Sequence, residues 1–207
     1  MSSSSSKSGK VYIASMNMRG SWAERPSNTS ILNVTSMQAK NKQERIDFSP
    51  MSEIEGGYKG YFCFENYWQS GKVFDGVDSK VVKNYWQTLK TGKRRYPGSK
   101  HKKVLHSNYD GTIRDYITSR KEIYVPEYFV HMIKSKSFQK WKTLLEQGTS
   151  IVVYDFDGPR KSDFTPDCQE ITLDFLKEKI NFANHPFGHG YVVAAALCGY
   201  KPEDYTK

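Results

Sequence analysis

Glu65, Trp68, Gln69 and Lys72 stand at i, i+3, i+4 and i+7 within the aromatic run Phe62 to Phe74. A helix through them would carry a carboxylate, an indole, an amide and an ammonium on one face. That set is poorly suited to plain core, because buried charges need partners. It suits a site that grips a polar ring and moves a proton. A simple Glu65–Lys72 ion pair would explain less, since i, i+7 lies two turns apart, beyond the i, i+3 and i, i+4 neighbours.

A second pair of acids follows the clearest strand signal in the chain. Ile151-Val152-Val153-Tyr154 is apolar and β-branched, and it leads into Asp155-Phe156-Asp157-Gly158-Pro159-Arg160. Carboxylates at i and i+2 on a strand exit point the same way. Such exits are common places for catalytic groups, although an ordinary Asp-rich turn would read the same. Between the two acidic sites lies Lys93 to Lys103, a stretch without any acidic residue. Pro97 and Gly98 place it in a loop. Arg94, Arg95 and Lys100 could hold phosphate and Tyr96 could stack on a base, while a merely solvated basic loop is the alternative.

Metal chemistry is not expected. His185 and His189 are four apart, but Pro186 and Gly188 oppose the regular helix such a pair needs, and there is no HExxH. Cys63, Cys168 and Cys198 show no CxxC spacing, so reduced thiols are expected and neither a disulfide framework nor a zinc site. No organic cofactor is implied.

The elements that must position these groups read as follows. Strands are expected over Val11 to Met18, Ile31 to Val34 and Ile151 to Tyr154, with a turn at Arg19-Gly20-Ser21. Ser36 to Asn41 could open a short helix with Ser36 as its N-cap, in a region that Phe48-Ser49-Pro50 ends. The central stretch should be helical from Phe64 to Phe74, stopped by Asp75-Gly76. Further helices are expected over Lys80 to Lys90, from Tyr124 with Pro126 in the first turn, over Ser137 to Gln147, over Ile171 to Phe182, and over Tyr191 to Cys198. The stripe Phe138, Trp141, Leu144, Leu145 reads as core.

At 207 residues, with 14% aromatic and 26% charged residues, the chain fits one folded domain. The expected division is a Ser-rich, mobile lead over residues 1–10, one domain over 11–200, and a polar, peripheral tail over 201–207. The fold class expected is α+β: a small mixed sheet surrounded by several helices. No apolar run spans a bilayer and no signal-peptide core is present, so a soluble intracellular protein, with no membrane partner, is expected. Without a secretory signal, the sequons at Asn28 and Asn33 carry little weight. The formal net charge of +9 favours anionic partners, phosphates or nucleic acid.

Glu65-x-Tyr67-Trp68-Gln69-x-x-Lys72 resembles the E-x-Y-(aromatic)-Q-x-x-K signature of the NADAR domain family, named for NAD and ADP-ribose. Phe48-Ser49-Pro50-Met51 resembles that family's aromatic-Pro segment. Leu144-Leu145-x-x-Gly148 leading into Ile151-Val152-Val153 is similar to its L-L-x-T-G-x-x-x-L-V segment. Gly188-x-Gly190 leading to Leu197 is similar to its terminal helix. The resemblance covers about residues 48–198. Asn66 stands where the family carries His, Tyr154 where it carries an acid, and Tyr116 or Tyr124 where it carries a tryptophan, the pattern of a divergent member.

The resemblance implies an N-glycosidase that hydrolyses a phosphorylated riboside or an ADP-ribosylated base. On that reading Glu65 is the acid/base residue and Asp155 or Asp157 supplies the second carboxylate. Gln69 and Trp68 hold the ring, and Lys72, Arg94, Arg95 and Lys100 hold phosphate. The competing expectation is a non-catalytic protein that binds nucleic acid or a nucleotide through the basic loop and Tyr96. A third is a catalytically inactive relative serving in an assembly.

Overall fold

A computed structural model of the chain describes residues 8–18 and 25–207. Its elements run β1 (Val11–Ser15), β2 (Thr29–Asn33), α1 (Gln43–Phe48), α2 (Phe64–Ser70), β3 (Lys72–Phe74), α3 (Ser79–Thr88), β4 (Val104–Asn108), β5 (Ile113–Arg114), α4 (Tyr116–Ser119), α5 (Val125–Met132), α6 (Lys136–Glu146), β6 (Ser150–Asp155), β7 (Cys168–Glu170), α7 (Leu173–Asn181), α8 (His189–Leu197) and α9 (Pro202–Tyr205). The fold is α+β, with a mixed four-stranded sheet and a small three-stranded antiparallel one.

A strand apolar on both faces belongs inside a sheet. β6 lies between β2 and β1, parallel to both, and β7 adds antiparallel to the far side of β1. Ile151 and Val153 join the main core, while Val152 and Tyr154 face a smaller cluster with Ala14, Met16 and Met18. The period of two therefore carries Asp155 onto the Ile151 and Val153 side. That side is covered by α8, buried from Gly190 to Leu197 and apolar all round, as an interior helix must be. Each fully buried Val, Leu or Ile of this layer contributes roughly 1.5–3 kcal/mol.

α2 is shorter than its pattern suggests. It ends at Ser70, and Gly71 caps it. The chain then turns into β3, which pairs with β4. Lys72 is thus the first residue of a strand, not the last turn of a helix. A Cβ on Gly71 would stand 2.2 Å from the Tyr109 ring, so the close approach of that ring requires glycine here.

The helix expected from Tyr124 begins earlier, at Tyr116, with Asp115 accepting from the Thr118 amide as N-cap. Tyr116–Ser119 and Val125–Met132 are joined by a π-helical turn, Arg120–Tyr124. Pro126 has no N–H and its ring crowds the carbonyl four residues back. The wider turn just before it lets the helix continue where a regular α-turn would break.

Several smaller expectations are corrected. Residues 36–41 form turns, and the helix starts at Gln43 instead. Thr35 rather than Ser36 organises that turn, its hydroxyl accepting from the Met37 amide. The 3-10 turn Met16–Met18 ends the first strand at Ser15. The segment Ser8 to Lys10 is placed rather than mobile: the Gly9 amide donates to Leu145 O and the Lys10 amide to Ser150 Oγ. The tail is not peripheral, since α9 inserts Tyr205, fully buried, against Phe187. Residues 1–7 of the Ser-rich lead and the Arg19-Gly20-Ser21 turn lie outside the described residues. No helix among the described residues is long and apolar enough to cross a membrane.

Candidate active site

The C-terminal end of β6, the start of α8, α2 and the π-turn enclose a cavity of about 320 Å³. Glu65, Trp68, Gln69, Lys72, Arg94, Arg95, Asp155 and Asp157 all line it. Two regions ninety residues apart in sequence are therefore brought to one cleft.

Glu65 is the one residue from Phe64 to Ser70 that is not buried. Its Oε1 accepts a 2.6 Å hydrogen bond from Gln69 Nε2, one turn along α2. Desolvation pushes its pKa up, against the pull of the Gln69 hydrogen bond and of Lys72, His189 and Arg94 nearby. Lys72 projects from β3 over the Trp68 ring, 5.8 Å from its centroid. Burial lowers its pKa, with Arg95 acting in the same sense and Glu65 opposing. Trp68 is held from behind: Tyr109 stacks on it at 5.8 Å and 13° and donates its hydroxyl proton to Trp68 O.

The two aspartates have different surroundings. Asp155 is 1% exposed, and its Oδ2 accepts from the Gly190 amide at 2.7 Å, within the first turn of α8. A carboxylate there meets the positive end of the helix dipole. His189 Nδ1 lies 3.8 Å from the same oxygen, while its Nε2 bonds Val34 O. Asp157 sits in the turn beyond, half-buried. Burial and the neighbouring Asp155 push its pKa up, with His189, His185 and Arg94 pulling the other way. Both carboxylates crowd Gly188, where a Cβ would fall 2.5 Å from Asp155 Oδ2 and 2.9 Å from Asp157 Oδ2.

The basic loop reaches the cavity by its first residues only. Buried Asn66 latches it, donating to Thr91 O and accepting from the Lys93 amide. Arg94 then lies over the Phe156 ring at 4.9 Å and donates to Ser36 Oγ. Tyr96 and Lys100 do not line the cavity. Tyr96 stacks on Phe74 at 5.7 Å and meets Tyr85 edge-on, so its ring is committed to packing rather than free for a base. Lys100 is exposed on the 3-10 turn Ser99–His101, which returns the chain to β4. Among the described residues none of Lys72, Arg94, Arg95 and Arg120 is ion-paired.

Arg120 was not legible as a site residue, nor was Phe156 beyond its place between two aspartates. Tyr116, Arg120 and Tyr124 recur every four residues, which in retrospect marks one helix face. No family model, no curated protein and no solved structure matches this chain.

Proposed function

We propose that the protein is an N-glycosidase acting on a phosphorylated riboside or an ADP-ribosylated base. The carrying observation is the convergence of Glu65 and Asp157 on one cavity, each carboxyl pushed up by burial, with Lys72, Arg94 and Arg95 in the same lining. The resemblance to the NADAR signature supports the same reading. Cleavage of an N-riboside builds positive charge on the sugar, which a carboxylate must stabilise while another group helps the base depart.

Glu65, steadied by Gln69, accepts a proton from water as the water oxygen bonds to C1′. Asp157, which keeps its proton to higher pH beside Asp155, gives that proton to the departing nitrogen as the C1′–N bond breaks. Asp155 acts through its bond to Gly190, fixing the start of α8 and raising the proton affinity of Asp157. Lys72, Arg94 and Arg95 hold the phosphate, and Trp68 packs beneath the ring.

The test is incubation with a panel of phosphorylated ribosides and ADP-ribosylated guanine, read by mass spectrometry for released base. Enzyme-dependent release from at least one member is the expected result. A protein that binds these ligands and releases nothing would instead be a binding module. A nucleic-acid binder of that kind would lose affinity steeply with added salt.

A further inference from the structure

Asn66 stands next to Glu65 on α2, about 100° further around the helix. Its side chain is fully buried and makes two hydrogen bonds to one backbone stretch. Nδ2 donates to Thr91 O at 3.0 Å, and Oδ1 accepts from the Lys93 amide at 3.1 Å. Gly92, between them, packs closely on Met51, and a Cβ there would run into the Met51 carbonyl oxygen and side chain. Met51 lines the cavity, and its neighbour Pro50 accepts the Glu65 amide at 2.7 Å. The stretch from Thr91 to Lys93 is thus tied to the start of α2 by a side chain on one side and by the Pro50-Met51 backbone on the other. The next residue is Arg94.

Arg94 is exposed and lines the cavity. Its guanidinium lies over Phe156, the residue between the two aspartates, and Nη2 donates to Ser36 Oγ at 3.1 Å. Nη1 and Nε have no acceptor among the described residues. Free guanidinium N–H groups at a cavity are what a phosphate takes. An arginine side chain loses much rotamer freedom on binding, so a backbone already held in place lowers that cost.

We infer that Asn66 is the positioning residue for phosphate recognition: by holding Thr91 and Lys93 it keeps Arg94 in the cavity lining, at a set distance from Glu65. The inference rests on the proposed riboside reading and deepens it. One helix then carries both the base that meets C1′ and the latch that sets where the phosphate is held. Binding energy gained at the phosphate is in this way used to place the sugar against Glu65. An Asn66 that merely supported the fold would weaken binding whether or not Arg94 were present.

The experiment is a double-mutant cycle, read as calorimetric binding of ribose 5-phosphate to the full chain, to Asn66→Ala, to Arg94→Ala and to the double variant. Each single change should weaken binding by about 10-fold, the size of one charge-assisted hydrogen bond. The double variant should also lie near about 10-fold, because without Arg94 the latch has no phosphate ligand left to place. Losses that multiply to about 100-fold in the double variant overturn the inference. So does parent-like binding by either single variant. Each of those results leaves the riboside reading standing, to be judged by base release. A parent that does not bind ribose 5-phosphate removes both. If Asn66→Ala does not fold, Gly92→Ala serves: its methyl group lifts the same stretch off Met51 while Asn66 is kept. It should weaken ribose 5-phosphate binding by about 10-fold in the parent and by less than about 3-fold in Arg94→Ala. Parent-like binding by Gly92→Ala would show that this stretch does not place Arg94.

Discussion

Gln69 Nε2 donates to Glu65 Oε1 at 2.6 Å, one turn along α2, and steadies that cavity carboxylate. It opposes the desolvation that raises the Glu65 pKa. Replacing Gln69 with Leu removes that opposition, and the carboxyl pKa rises further. Glu65 works as a base, so its ionised fraction at a given acid pH falls. The acid limb of the pH–rate profile should move to higher pH in Gln69→Leu, and an unmoved or lowered limb would contradict the pairing.

The same desolvation has a consequence for stability. The folded state holds the Glu65 proton to higher pH than the unfolded chain, where a glutamate titrates near about 4.3. Between those two values the folded state binds more protons, so the parent loses stability as pH rises. Glutamine does not titrate. The Tm of Glu65→Gln relative to the parent should therefore grow from about pH 4 toward neutral. A constant difference across that range would show that Glu65 titrates alike in both states.

Trp68 keeps its place through Tyr109. Gly71→Ala would drive a methyl group into the Tyr109 ring and tilt the stack behind the indole. The expected cost is about 1–3 kcal/mol, as for other overpacked sites, measured by urea unfolding. KM should rise more than kcat falls, because the ring wall is a binding element.

The last residues belong to the core. Tyr205→Ala should cost about 3–5 kcal/mol, the range for deleting a large buried ring. A change under about 0.5 kcal/mol, typical of surface positions, would contradict the packing of α9 against Phe187.

The apolar, β-branched run Ile151 to Tyr154 was sufficient to find the central strand and to place Asp155 at its exit. The apolar run after Gly190 was sufficient for the interior helix. The helix reading of Lys72 failed for a local reason: Gly71 accommodates the Tyr109 ring, a contact between residues 38 apart that no local periodicity records. Lys72 still reaches the cavity, by a strand rather than by a third helical turn. Tyr96 looked free because Pro97 and Gly98 signal a loop, yet loops also pack, and Phe74 and Tyr85 claim its ring. Arg120 was invisible because its place in the lining depends on a π-turn beside Pro126 and on carbonyls from 59 or more residues away.

The central claim is that Glu65 takes a proton during cleavage of an N-riboside. The direct measurement is the single-turnover rate of base release by Glu65→Gln, on the riboside that the parent cleaves fastest. Loss of a positioned general base should slow release by about 10²–10⁴-fold while binding of that riboside stays near the parent value. Release within a few-fold of the parent rate would contradict the account.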